Sequence, residues 1–202
     1  MTASRHVGRP RGGDPVATRH AILGAAEECF AASGFAGATT RQVAGLAGVN
    51  VATLHYHFGS KEKLYRAVLD ATIRDVPLAV SGSTPEERLS SAVAVLWELG
   101  IAHPSLPRLR LFQRLAGPPF SDGSLGAPDD PRVTLLARTL GETGIKALLP
   151  PAETSRVILA LLDGALVAAR DPRLSGEASQ SDVTDASRAA VVAAALRVAG
   201  LV

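Results

Sequence analysis

Residues 53–57 place a hydroxyl, two imidazoles and a phenol close together: Thr53, His55, Tyr56 and His57. Such groups hydrogen-bond and stack, and imidazoles also move protons and bind metals. Spacing decides among these chemistries. On a helix, positions two apart point to different sides, so His55 and His57 are not a metal pair. No Gly-x-Ser-x-Gly, phosphate-cradling Gly-x-x-x-x-Gly-Lys, His-Glu-x-x-His or cysteine pair accompanies them. Asp129-Asp130 lies in a Pro/Gly-rich stretch and reads as a solvated turn, not a carboxylate dyad. No enzymatic activity, metal or cofactor is therefore expected. What remains is recognition by a surface of small apolar groups and polar donors.

The elements around these residues fit that purpose. Thr39 is an N-cap candidate, and Val43, Ala44 and Ala47 follow at helical spacing. Gly48 supplies a break where φ can turn positive, and Asn50 is the next cap. Val51 to Phe58 then makes a two-turn helix, with Leu54 and Phe58 on one face. Gly59-Ser60 breaks the chain again, and Ser60 caps a helix opening Lys61-Glu62-Lys63. A helix, a glycine turn and a second short helix form a helix-turn-helix. Two turns suffice to enter a DNA major groove about 12 Å wide. Val51, Ala52, Thr53, His55, Tyr56 and His57 would face outward, able to touch thymine methyls, base edges or phosphates. The helix is nearly uncharged, so nonspecific affinity must come from Arg41, Lys61, Lys63 and the N-terminal arginines.

The run TTRQVAGLAGVNVATLHYHFGSKEKLY resembles the DNA-binding signature of the TetR family of bacterial regulators. The resemblance reaches back through Ala21–Ala26 and Phe30–Phe35 and covers roughly Thr18 to Leu69. It implies a dimeric regulator whose body holds an effector pocket and whose last two helices dimerise. His55 departs from the pattern, because the family usually has Tyr there, making a phosphate contact. A neutral imidazole can still donate one hydrogen bond.

Composition agrees with a helical binding protein. Of 202 residues, 47% are hydrophobic and only 4% aromatic, so the core is built from Ala, Leu and Val. Without sustained β-branched alternation, an all-α fold of about nine helices is expected. Net charge is +2, but residues 1–66 hold eight Lys/Arg against four Asp/Glu, as a polyanion-binding module would. The single Cys29 excludes an intramolecular disulfide and sits in the apolar register of the first helix. No apolar signal segment or membrane-length run occurs, so a cytoplasmic location is expected.

Along the chain, residues 1–15 read as a disordered basic arm, 16–60 as the DNA-binding domain and 61–202 as an effector-binding and dimerisation domain. The first helix is expected over 16–33, ended by Gly34, with Phe35 plugging a three-helix core. Further helices are expected over 61–76, 85–102, 106–116, 132–149, 152–170 and 185–199. In the sixth, Leu109, Phe112 and Leu115 are expected inward and Arg108, Arg110 and Arg114 mostly outward. Trp97, His103, Phe112, Arg114 and Phe120 are the candidate effector-pocket residues. The last two helices carry the candidate homodimer interface: Ile158, Leu161, Leu162, Ala165 and Leu166 on one, Ala189, Val192 and Leu196 on the other.

Together these features lead to a dimer that binds a palindromic duplex operator and is released from it by a small hydrophobic or amphipathic effector. Arg41 and the Val51–Tyr56 face would read bases, while Thr40, His55, His57 and Lys61 hold phosphates. An activator, an effector-independent regulator and a helical small-molecule binder with a vestigial head remain as alternatives.

Overall fold

A computed structural model describes residues 14–72, 79–116, 130–144, 147–171 and 180–201. Among them there are nine helices and no strand. They are α1 (Pro15–Gly37), α2 (Thr40–Leu46), α3 (Val51–Phe58), α4 (Lys61–Ala71) and α5 (Pro85–Ala102). Then come α6 (Ser105–Ala116), α7 (Pro131–Glu142), α8 (Pro151–Ala168) and α9 (Gln180–Ala199). Residues 1–13 of the basic arm, the end expected for the fourth helix and most of the 117–131 loop lie outside the described residues; Asp14 and Pro15, expected in the arm, instead cap and open α1.

The helix boundaries follow their caps. Thr84 accepts from the Glu87 amide while the Glu87 carboxylate takes the Ser83 and Thr84 amides, and Pro85 opens α5. Arg170 closes the other end of α5 by donating to the Gly100 and Ile101 carbonyls. In α1 the helical path breaks at Gly34, whose φ of 69° and ψ of 179° suit glycine alone, before a last turn ends at Gly37. The seventh helix stops at Glu142, seven residues sooner than expected from sequence, because Thr143 caps it and Gly144 turns to positive φ.

Two apolar clusters hold the helices. The first joins α1 to α4 through Ile22, Ala26, Phe30, Leu54, Leu64 and Tyr65, and it takes in Leu109 from α6. Phe35 packs against it, its ring 5.4 Å from that of Tyr65 in an edge-on arrangement. The second joins α5 to α9 around Leu89, Trp97, Leu136, Ile158, Leu162 and Ala195. Each large side chain so buried contributes about 1.5–3 kcal/mol before entropy is set against it. Helix α8 packs against α5, α6, α7 and α9, so its many apolar residues are covered largely within the chain.

Between the clusters stands α6. Tyr65 of α4 donates to the Leu109 carbonyl at 3.1 Å, and the Phe112 ring lies against Gly34. At the start of α6 the Ser105 hydroxyl donates to the Glu27 carboxylate of α1.

The body also buries charge, contrary to the expectation for α6. Arg110 turns inward and Leu115 stays 77% exposed. Asp130, expected in a solvated turn, is 6% exposed. The reason is pairing: Asp130 caps α7 through the Arg132 amide and faces the Arg132 guanidinium, which also meets Asp163.

Candidate nucleic-acid interface

The surface formed by α2, the following turn and α3 is fixed by backbone chemistry before any ligand arrives. Thr39 Oγ1 accepts from the Gln42 amide at 3.2 Å, and Gln42 Oε1 accepts from the Thr39 amide at 2.9 Å. At the far end of α2, Gly48 takes φ 68°, its N–H donating to Gly45 O, and Val49 donates to Ala44 O. These two bonds close the helix and set the turn. Asn50 Oδ1 then accepts both the Thr53 amide, at 2.7 Å, and the Thr53 hydroxyl, at 3.0 Å. Ser60 caps α4 at the Lys63 amide. A helix of eight residues owes its persistence to such caps and to its buried face.

That face is Leu54 and Phe58, 0% and 7% exposed. Opposite it, Tyr56 is 86% exposed, and Ala52 and His55 are exposed beside it. His57 is half-buried, its ring 5.3 Å from that of Tyr56. Thr53 is also half-buried, with its hydroxyl engaged by Asn50. Val51 is partly packed on the head cluster, so only part of its side chain faces outward. On α2, Arg41 is exposed and Thr40 half-buried.

His55 has a fixed role in this geometry. Its Nδ1 lies 2.7 Å from the carbonyl oxygen of Gly59. A carbonyl only accepts, so Nδ1 carries the hydrogen. A neutral ring then presents Nε2 outward as an acceptor. The single donor anticipated for a phosphate is used within the protein.

Two cations are held over aromatic faces. Lys61 Nζ lies 4.4 Å from the centre of the Phe35 ring, and Arg19 lies 4.9 Å from that of Phe58. Partial burial pushes the Lys61 ammonium down, with Glu62 acting in the opposite direction. Arg19 counts among the basic residues of the N-terminal third, but nothing around it in sequence signals the Phe58 ring beneath it.

The remaining candidate residues lie in the body. Trp97 is 1% exposed within the second cluster, and His103 caps the end of α5. Phe112 sits on Gly34, and Arg114 donates to Asp163 at 2.8 Å. Phe120 lies outside the described residues. These groups do not converge: Trp97 belongs to the core and Phe112 to the contact with α1. Of the candidate interface residues, Ile158, Leu162 and Leu166 are fully buried in their own protomer. They therefore cannot meet a second chain as they stand. Ala165, Val192 and Leu196 are half-buried against the same core, whereas Leu161 is 41% exposed and Ala189 is exposed. Sequence reasoning missed the buried charge on α6, α7 and α8. Its available signal was a lone Asp163 within the otherwise apolar run VILALLDGALVAA.

Comparison with known proteins agrees with this geometry. Residues 22–68 match the model for bacterial regulatory proteins of the tetR family. The HTH-type transcriptional repressor NicS of Pseudomonas putida is 36% identical over 92 residues, 43% of each chain. The HTH-type transcriptional regulator RutR of Escherichia coli is 33% identical over 129 residues, 60% of this chain and 61% of that protein. The chain thus spans about half the length of the curated relatives it matches. Among solved structures, AibR in complex with isovaleryl coenzyme A and operator DNA superposes with a TM-score of 0.63 at 16% identity. That likeness covers 86% of this chain and 97% of AibR and is one of fold. On its capped helix-turn-helix and these matches, residues 22–68 form a DNA-binding domain of the kind found in bacterial regulatory proteins of the tetR family, carried on a helical body.

Proposed function

We propose that this protein is a homodimeric, ligand-responsive transcriptional repressor that inserts α3 of each protomer into the major groove of a palindromic operator. One observation carries the proposal: Tyr56 is 86% exposed on a short, rigidly capped helix whose other face is buried. An exposed phenol on a rigid helix can stack or hydrogen-bond in a groove, and Lys63 stands exposed nearby in sequence to meet phosphates. The names of NicS and RutR as regulators support the same function.

In this proposal residues 16–60 are the DNA-binding domain and 61–202 the effector and dimerisation domain. Arg41, Ala52, Tyr56 and the outer part of Val51 meet bases. Thr40, Thr53, His57 and Lys61 meet phosphates or support those that do. His55 joins the base readers, because its free Nε2 accepts and so suits the exocyclic amine of cytosine or adenine rather than a phosphate. The dimer forms through the exposed edge of α8 and α9, with Leu161 and Ala189 at its centre and Val157 beside them. Two α3 helices then sit roughly 34–36 Å apart, one turn of DNA. The effector acts by preferring an orientation of α4 that spoils this spacing.

The test is selection of duplexes from a random pool, followed by affinity measurements with Tyr56→Ala and Leu161→Glu. A two-fold symmetric consensus, lost affinity in the first variant and a monomer in the second are expected. Enrichment of no duplex, or a Leu161→Glu dimer with unchanged affinity, would sink the proposal.

A further inference from the structure

Burying a guanidinium strips its hydration, a cost offset only by carboxylates and hydrogen bonds placed around it. Among the described residues, one cluster in the body gathers more guanidinium than carboxylate. Arg132 is 1% exposed; its Nη1 donates to Asp163 Oδ1 at 2.8 Å and its Nη2 to Asp130 Oδ2 at 3.0 Å. Both carboxylates are thereby engaged. Two more guanidiniums come from α6, four residues apart and so on one face. Arg114 Nη1 donates to Asp163 Oδ2 at 2.8 Å. The Arg110 side chain is 11% exposed, yet its Nε reaches Asp130 only at 3.6 Å, beyond hydrogen-bonding distance. Nη1 of Arg110 donates to Gln113, but its Nε–H is buried without an acceptor. Among the described residues the cluster sets three positive groups, Arg114 part-exposed, against two negative. Burial pushes the Arg110 guanidinium down, with Asp130 opposing.

Exposure rises across the cluster from 0% at Asp163 to 32% at Arg114, so it meets solvent on the α6 side. The same helices bury Leu109, Val133 and Leu159, which makes the surroundings apolar. Among the described residues, one positive charge in excess, a buried Arg110 Nε–H without an acceptor and apolar side chains on the same helices fit a monoanion with an organic tail. Carboxylate matches the planar guanidinium fork, and it is the singly charged oxyanion that an organic tail would carry into apolar surroundings.

We propose that Arg110, with Arg114 beside it, anchors the carboxylate of a small organic acid, and that this acid is the effector. The effector part rests on the repressor function proposed above; the anion site does not. The route to the head is short. Arg110 follows Leu109, whose carbonyl holds Tyr65, and precedes Phe112, which lies on Gly34. An acid that draws Arg110 toward itself moves α6 and both contacts.

The test is thermal unfolding of the full-length protein at constant ionic strength with butyrate, octanoate and benzoate. The matched neutral amides, chloride and inorganic phosphate are the controls. At least one acid should raise Tm saturably by several degrees, and neither its amide nor phosphate should. Arg110→Met and Arg114→Gln should each raise the Kd for that acid at least tenfold. Arg114→Gln, at a part-exposed site, serves if the first variant does not fold. Absence of a saturable shift with all three acids overturns the site. So does an equal shift with amide or phosphate, or a Kd unchanged in the variants. The acid should also weaken binding to duplexes selected from a random pool at least tenfold. If it binds but leaves that affinity unchanged, the effector role is overturned. If the protein binds no duplex with or without acid, the repressor function fails while a saturable, variant-sensitive shift still upholds the anion site.

Discussion

The hydroxyl of Tyr65 donates to the carbonyl oxygen of Leu109 at 3.1 Å, and this bond fastens α4 to α6 inside the first cluster. Burial pushes the Tyr65 phenol up to about 12, with Arg110 acting the other way. The unfolded chain has a value near 10. A group whose pKa is raised by folding contributes fully below the unfolded value and loses that contribution as pH rises through the folded one. Stability should therefore fall between about pH 10 and pH 12, by roughly 2 kcal/mol from this residue. Tyr65→Phe should cost about 0.5–1.5 kcal/mol at pH 7 and flatten the alkaline limb. Urea unfolding at pH 7, 9 and 11 measures both; an alkaline slope equal in variant and wild type would remove Tyr65 as its source.

Gly34 matters twice over. Its backbone occupies φ 69°, ψ 179°, a region essentially closed to other residues. A Cβ built there would also lie 3.3 Å from two carbons of the Phe112 ring. Gly34→Ala should cost about 1–3 kcal/mol from strain alone. Because the ring can give by a few tenths of an ångström while the backbone cannot, Phe112→Ala should restore less than half of that loss. A double-mutant cycle in chemical denaturation separates the two. Full restoration would make the ring contact the dominant cause.

The buried charge on α7 and α8 should show in acid. Burial alone would raise the Asp130 carboxyl, but Arg132 and Arg110 outweigh it and hold it below the ordinary range. A lowered pKa contributes stability above the unfolded value, near 4, and loses it as pH falls through the folded one. Asp130→Asn should thus reduce the steepness of acid unfolding below about pH 4. Asp163→Ala removes the partner of both Arg132 and Arg114 and should cost about 3–5 kcal/mol at neutral pH. Calorimetry across pH 2–7 tests the pair, and an acid limb unchanged in Asp130→Asn would contradict it.

The head was legible because its signals are local. Thr39, Asn50, Ser60 and Thr84 each cap the helix that follows, as their types and positions suggested. Leu54 and Phe58, four apart, bury together, and the all-α reading follows from the same periodicity. The body was less legible because its pairings are long-range. Nothing near Arg110 in sequence announces Asp130 or Asp163, so its outward placement was a default for a charged side chain. The stripe on α8 reported apolar surface correctly, but periodicity does not say whether a neighbour in the same chain or a second chain covers it. Ile158, Leu162 and Leu166 went to the same chain. The role of His55 also lay beyond sequence, since it depends on where the Gly59 carbonyl points.

Lys61 and Arg41 should separate by the kind of binding they support. Lys61 Nζ rests over the Phe35 ring, so its ammonium is held at the start of α4 beside the recognition helix. There it can meet a phosphate, which carries no sequence information. Arg41 is exposed on α2 without such a tether and is free to reach a base edge. Lys61→Ala should weaken matched and mismatched duplexes alike and lower the slope of log K against log salt by about one. It should also cost about 0.5–1 kcal/mol of fold stability from the lost ring contact, seen in unfolding without DNA. Arg41→Ala should relax preference at one operator position by about 1–3 kcal/mol. Titrations on the selected duplex and on single-position variants, at three salt concentrations, read both effects. Equal losses on every duplex for both variants would show that Arg41, too, meets only the phosphate backbone.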